Sequence, residues 1–413
     1  MLKGRSIGRV RDARADIIYA HLPTAKIGQA VELLGAQQCI RGTVQSIDGG
    51  IASISPHADV EGLKAGDAVH ALGSNSIPVL RLSALGTAID VSGPTLNRKT
   101  VTSCRPKEFA IQPSPADRTL LRAPLWTGIK AIDGLLTFAR GARFGIFGPA
   151  GAGKSSLLAM LQGNTRADVS VVALIGERGR EASEWFTRLN PRMSVVYASS
   201  DRPAAERVAA ARCAIQHAAY LRDLGLHVLL VVDSLARLAA ALRDVAIGCG
   251  EPVGRAGFPA SVFTNLARFV EVGGATAQGS VTIAATILST DADRDPITEA
   301  ARALLDGHIV LSRALANAGR FPAIDITTSA SRLMGMVASA THAEDAVALR
   351  RAIAALSDSE EARSIGLPSH DPWVNSAQQN ERQIEEFLRQ GAQAVPAAVT
   401  VRELQLLAER LRP

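Results

Sequence analysis

The eight residues Gly148-Pro149-Ala150-Gly151-Ala152-Gly153-Lys154-Ser155 constrain this 413-residue chain more than any other stretch. They fit G-x-x-x-x-G-K-[ST], follow an apolar strand-like run (RFGIF) and open a helix-like one (SSLLAMLQ). The glycines let the backbone curl so that successive N–H groups point inward. Those donors, with the positive end of the helix, hold phosphate oxygens. Lys154 is placed to reach the β- and γ-phosphates, and the Ser155 hydroxyl to ligate Mg²⁺, with Ser156 beside it in the nucleotide contact set. A glycine turn before a helix would explain neither the Lys-Ser pair nor the strand–loop–helix order.

A loop of this kind needs a parallel sheet beneath it, and the chain supplies one. From about residue 126 to 338 the runs RFGIFG, VSVVALIG, SVVYASS, HVLLVVD, SVTIAATIL and HIVLSR are short, β-branched and bounded by turns. Such runs are buried on both faces, as in a sheet covered by helices. Residues 1–95 differ: strand-like pieces (CIRGTVQSI, IASIS, AVHAL) are separated by Asp48-Gly49-Gly50, Gly62 and Gly66-Asp67, which suggests a small barrel. Residues 96–125 are polar and proline-rich, a linker by composition. Residues 339–413 have helical periodicity (AEDAVALRRAIAALSDSEEARS, AQQNERQIEEFLRQ, TVRELQLLAERLR) and predict a helical C-terminal domain.

Two acids stand where a nucleotide-binding sheet uses them. VSVVALIG runs into Glu177-Arg178-Gly179-Arg180-Glu181, so Glu177 lies just beyond a strand's carboxyl end, facing the crevice where ligands bind in open α/β sheets. It is placed to orient the attacking water and accept its proton. HVLLVVD ends in Asp233, which suits a carboxylate that holds Mg²⁺ through its water shell, although a strand-ending Asp also serves as a helix cap.

Composition narrows the class. Hydrophobic residues at 47% and charged residues at 20% fit a globular chain rather than a disordered one. Cys39, Cys104, Cys213 and Cys249 form no Cys-x-x-Cys pair, which argues against a metal cluster or disulfide framework. No uncharged run approaches the roughly 18 residues of a membrane span, and the first residues lack a secretory pattern. These features predict a cytoplasmic protein, peripheral to a membrane at most. A net charge of +6 without a dominant Lys/Arg block predicts no specific nucleic-acid partner.

Taken in order, GIFGPAGAGKSSLL, VALIGERGREASEW, LLVVDSLARLAAALRDVAIGCGEP, GFPASVFTNLARFVEVGG and LLDGHIVLSRALANAGRFPAIDITTSASRLM resemble the type III secretion and flagellar export ATPases, relatives of rotary F- and V-type catalytic subunits. The resemblance implies an α/β fold with a RecA-like P-loop ATPase core, an N-terminal small β-barrel and a C-terminal helical domain. It also implies ATP as substrate, Mg²⁺ as cofactor and assembly into a homo-oligomer, a hexamer. The implied partners are central stalk and peripheral stator proteins and export chaperone–cargo complexes, at the inner-membrane base of an export apparatus. By position, Glu177 matches the water-activating glutamate, and Arg178 and Glu181 match charged partners near the γ-phosphate and Mg²⁺. Arg332, in SASRLM, matches an arginine inserted into a neighbouring subunit's site. The loop Ile247 to Pro259 matches one facing the central pore or stalk, with Glu251, Arg255 and Phe258 as contact candidates. Phe387 stands where relatives place an aromatic near the adenine; a core position is the alternative. The stretch ILSTDADRDPI departs from the family by one missing residue and a missing glutamate.

Three other readings compete. A rotary ion-translocating subunit fits less well, because GERGREASEW and the GEP-x5-GFPASVF stretch depart from its usual patterns. A Rho-like RNA translocase would stack bases on an aromatic barrel, yet residues 1–95 contain one aromatic, Tyr19. A nucleotide-gated assembly factor without turnover would not need Lys154, Glu177, Asp233 and Arg332 together.

Overall fold

The computed structural model describes the chain except residues 1–6, 37, 76–78, 92–102, 105–110, 290–294, 362–364, 366 and 368, and the side chains of 73–75, 79, 103, 104 and 255. Much of the expected linker, the centre of the shortened ILSTDADRDPI loop and the side chains of Cys104 and Arg255 therefore lie outside the described residues. Along the chain come β1 (Ile7–Ala13), β2 (Ile18–His21), β3 (Gln29–Leu34), β4 (Cys39–Asp48), β5 (Ile51–Pro56), β6 (Ala68–Asn75), β7 (Val79–Leu80) and β8 (Thr87–Asp90). Three two-residue strands follow: β9 (Ser103–Cys104), β10 (Arg118–Thr119) and β11 (Pro124–Leu125). Next are α1 (Lys130–Leu135), β12 (Phe138–Ala139), β13 (Arg143–Gly148), α2 (Lys154–Asn164), β14 (Val169–Glu177), α3 (Gly179–Phe186), β15 (Met193–Ser199) and α4 (Ala204–Asp223). The chain continues through β16 (His227–Asp233), α5 (Leu235–Gly248), α6 (Ala260–Val270), β17 (Gly274–Thr276), β18 (Ser280–Leu288), α7 (Pro296–Leu304) and β19 (Gly307–Leu311). It then runs through α8 (Arg313–Asn317), β20 (Ile324–Ser331), α9 (Met334–Val337) and α10 (Ala340–Asp358) to three last helices, Pro372–Gln379, Glu381–Leu388 and Ala397–Leu411.

These elements form two compact units, residues 1–116 with 169–272 and residues 117–168 with 273–413. In the first unit, six antiparallel strands close in the order β1-β2-β5-β4-β3-β6. Their inward residues, among them Ile18, Leu22, Val31, Leu33, Val44, Ile54 and Val69, form one apolar core. Alternation along β1, from exposed Ile7 and Arg9 to buried Gly8 and Val10, is what a closed barrel with one wet face requires. Beside it, β16, β14, β15 and β8 pair in parallel, with Leu174 opposite Asp233 and Ser194 opposite Thr87. Every residue of β14 and β16 is buried, as expected for strands with covered faces. Two strands of the 1–95 stretch read as barrel lie outside it: β7 pairs with β9, and β8 pairs with β15.

In the second unit β13 lies between β18 and β19, parallel to both, and β20 runs antiparallel at β19. The sequence reading passed over β20 because its ITTSAS segment is polar. Its position at the edge of the strand order, paired with β19 alone among the described residues, explains why a polar strand is tolerated there. The helical periodicity after residue 339 becomes α10 and the last three helices; AQQNERQIEEFLRQ is split in two at Asn380. Asp345 of α10, 2% exposed, accepts Arg412 at 2.7 Å, fixing the last helix to α10. Asp133, fully buried at α1, accepts Thr127 N, Thr127 Oγ1 and Gly128 N at 2.8, 2.6 and 2.8 Å. These bonds satisfy donors ahead of the helix, while burial still raises the Asp133 pKa to about 6.

Candidate functional site

The phosphate loop leaves the carboxyl end of β13, whose last residue Gly148 pairs with Leu288. A side chain at Gly148 would meet Leu311 Cβ and its carbonyl oxygen at 3.0 Å, so the loop begins where only glycine fits closely. Gly151 and Gly153 take φ of 80° and 94°, the left-handed region where a Cβ is costly. Gly153 is the N-cap of α2 and no side chain caps this end. The helix therefore presents its first N–H groups to whatever the loop encloses. Lys154 Nζ donates to the Gly148 and Pro149 carbonyls at 2.7 and 2.8 Å, which holds the ammonium over the loop. Arg313 Nη2, from α8, donates to the Ala150 carbonyl at 3.0 Å. Ala152 is buried beneath the loop, whereas Ser155 and Ser156 are exposed. The donor set suits a polyphosphate with a hard cation: backbone N–H groups and an ammonium for the anion, a free-standing hydroxyl for the metal.

The first unit carries the acids. Gly176 has φ 69°, and the pairing of β14 with β15 slips between Ile175 and Glu177. Such a bulge re-aims the strand's last side chain. Glu177, 5% exposed, meets Arg237 Nη1 at 2.8 Å through Oε2, and the same Nη1 donates to the Gly176 carbonyl. Its pKa rises to about 9, first through burial, then through a hydrogen bond with Glu181 and the charge of Asp233, while Arg237 opposes the rise. Glu181 shifts down through that same bond. Burial and this bond favour the protonated form of Glu177, with Glu181 as the acceptor. Asp233, 7% exposed, ends β16, and Ser234 caps α5 by accepting from Arg237 N at 3.3 Å. The capping role that a strand-ending Asp could have played belongs to Ser234, which leaves Asp233 for other work.

Sequence reasoning missed Arg237, although its position four residues after Asp233 places it one helical turn from a strand-end acid. It also missed Arg313, for which no local signal exists. Arg178 is exposed at the N-cap of α3. Arg332 is exposed just past β20; its backbone N–H donates to the Asp306 carbonyl at 3.0 Å and its Nη2 to the Arg302 carbonyl at 3.2 Å. Phe387 is 3% exposed, with its ring at Gly134 and Lys130 Nζ 5.5 Å from its centroid, so the core alternative describes it. Of the loop candidates, Glu251 accepts Ser261 Oγ at 2.6 Å, and Phe258 is half-buried beneath Arg243 at 5.6 Å. Among the described residues no group of three His, Cys, Asp or Glu forms a metal-binding cluster, and no helix is long and apolar enough to cross a membrane.

Residues 128–331 match the model of the ATP synthase alpha/beta family, nucleotide-binding domain. The SPI-1 type 3 secretion system ATPase of Salmonella typhi is 40% identical over 83% of this chain and 83% of its own length. The flagellum-specific ATP synthase of Treponema pallidum is 36% identical over 94% of this chain and 89% of its own. Among solved structures, the assembled ATPase EscN of the enteropathogenic E. coli type III secretion system superposes with a TM-score of 0.91 at 36% identity, covering 97% of this chain and all of that one. EscN has also been solved in complex with its central stalk EscO, with a TM-score of 0.88 to this chain.

Proposed function

Because this chain belongs to the type III secretion and flagellar export ATPases, we propose that it works as a ring, a hexamer, coupling ATP hydrolysis to protein export. Its fold is that of the ATP synthase alpha/beta nucleotide-binding family, and it is an ATPase. The observation that carries the catalytic assignment is the buried Glu177, held by Arg237 at 2.8 Å with Asp233 and Glu181 around it. A carboxyl with a raised pKa at the end of a central strand has the affinity for a proton that a general base needs.

In this reading the backbone from Gly148 to Gly153 and the Lys154 ammonium bind the β- and γ-phosphates. Mg²⁺, held by Ser155 and through water by Asp233, would neutralise charge on the phosphates when bound. Glu177 orients the attacking water and takes its proton once it is ionised. Arg237 fixes the Glu177 carboxylate and favours its ionised form, and Glu181 accepts the hydrogen bond of Glu177 while Glu177 holds its proton. Arg178 contributes positive charge near the γ-phosphate. Arg332, exposed and held by backbone carbonyls, is available to a neighbouring copy, where it would stabilise the transferred phosphoryl group. The assembled EscN and its stalk complex support a ring with a stalk partner. Stator proteins, chaperone–cargo complexes and peripheral attachment at the inner membrane belong to the same proposal.

Glu177→Gln should bind nucleotide at wild-type affinity while turnover falls about 10²–10⁴-fold. Undiminished hydrolysis in that variant would remove Glu177 from the role. Arg332→Ala should lose about 10³-fold or more, and mixing it with Lys154→Ala subunits should recover part of the activity. A mixture as inactive as its components would count against a site shared between copies.

A further inference from the structure

The first unit holds a cavity of about 220 Å³ that no part of the reaction uses, walled by α4, α5, α6 and the segment at Ile111 and Gln112. A second cavity, of about 140 Å³, adjoins it through shared Val208, Arg212, Leu242 and Asn265. Arg212 and Gln216 lie one turn apart on α4, and Asn265 and Arg268 three residues apart on α6, so each pair shares one helix face. Leu238 and Phe269 supply apolar wall.

Among the described residues none lining the larger cavity is acidic; Glu251, which lines the adjoining cavity with Arg212, accepts from Ser261 Oγ. Among the described residues Arg212 has no carboxylate or hydrogen-bonding partner; burial, then the charge of Arg268, push its pKa down. Gln216 is 7% exposed, and its amide oxygen is buried without a hydrogen-bond partner. Gln112 is tied to α6 by donation from Nε2 to the Arg268 carbonyl at 3.0 Å, which closes one side. Two guanidiniums without a counter-charge select an anion. The apolar wall selects a ligand with a hydrocarbon body.

We propose that the cavity between α4, α5 and α6 is a binding site for a small organic oxyanion, a carboxylate or phosphate monoester on an apolar body, held by Arg212 and Arg268. A volume near 220 Å³ exceeds the roughly 150 Å³ that accommodates benzene in an engineered protein cavity. Ligands the size of a substituted benzoate therefore fit.

The test is calorimetric titration of the full-length Lys154→Ala chain, in which the phosphate loop is disabled, with benzoate, phenyl phosphate and benzyl alcohol. Benzoate or phenyl phosphate should bind saturably at one site per chain, and the stronger of the two identifies the head group. Benzyl alcohol should bind about tenfold more weakly or not at all. Adding Arg212→Gln, or Arg268→Gln at the exposed position where folding is not at stake, should weaken the anion about tenfold. Saturable binding of neither anion overturns the proposal, as does affinity that is unchanged in both arginine variants. It also falls if a structure of the oligomer seats an acidic side chain of another copy on Arg212. Because binding is read directly and the arginine variants assign it to this cavity rather than to the phosphate loop, failure of this proposal is distinguishable from failure of the ATPase reading.

Discussion

The loop after β13 and the acids after β14 and β16 both stand at carboxyl ends of buried strands, and both use a glycine of positive φ, Gly153 at 94° and Gly176 at 69°. They differ in what fixes their chemistry. In the proposed mechanism the loop works through backbone N–H groups whose directions follow from glycine positions, so its role is local to eight residues. The acids work through burial and mutual charge. Glu177 is shifted by Glu181, Asp233 and Arg237, spread over sixty residues of chain. A site built from backbone geometry survives as a motif, whereas a site built from electrostatics exists only after folding.

The sharpest way to break the comparison is Lys154→Ala. The loop's glycines and the uncapped α2 terminus remain, but the cation that reaches the phosphates is lost. Turnover should fall about 10²–10³-fold or more, with weakened nucleotide affinity, as read by ATPase assay and nucleotide titration. If affinity and rate both stay at wild-type values, the loop does not hold the phosphates. The next effect belongs to the acids. Arg237 lowers the Glu177 pKa, so Arg237→Met should raise it further. Activity at pH 7 should then fall about tenfold and the rising limb of the pH–rate profile should move to higher pH. A uniform loss of rate with no shift of the profile would make Arg237 a purely structural support of α5.

How much could be read beforehand follows the same division. The strands β13, β14, β15, β16, β18 and β19 were legible because each is an apolar β-branched run of five to nine residues between turns. The barrel was legible from glycine-punctuated short strands. The strand β20 was not, since polarity at Thr327, Thr328 and Ser329 hides it. Neither was the assignment of β8 to β15, because parallel pairing joins segments more than a hundred residues apart and leaves no local trace. Lys154 and Ser155 could be placed from spacing alone. For Glu177 and Asp233 the sequence could indicate strand ends, but not the Arg237 contact or the bond between Glu177 and Glu181. The cavity beside Arg212 had no sequence signal at all: an unmatched arginine looks the same as a solvated one until its surroundings are known.

The smallest effect tests the protonated form of Glu177 without any assay of turnover. In the unfolded chain a glutamate titrates near its ordinary value of 4.5, whereas in the folded chain burial raises Glu177 to about 9. Between those values the folded state binds more protons than the unfolded one, so stability must fall as pH rises. The buried His57 and His217, both lowered to about 4 by burial, have the opposite sign. They are neutral when folded and charged when unfolded below about 6.5, so they remove stability as pH falls. Asp133, raised to about 6, also acts on the acid side. Between about pH 7.5 and 8 the histidines and Asp133 have nearly finished titrating in both states and the unfolded cysteine thiols, near about 8.5, are still mostly protonated, so Glu177 makes the largest contribution to the slope. Wild-type protein should lose about 1.4 kcal/mol per pH unit at most across that window, and Glu177→Gln should flatten the decline while leaving the acid limb intact. Denaturant melts at half-unit steps of pH would show it; the same decline in both proteins would mean that Glu177 gives up its proton near neutrality and that its burial has been overcome by Arg237.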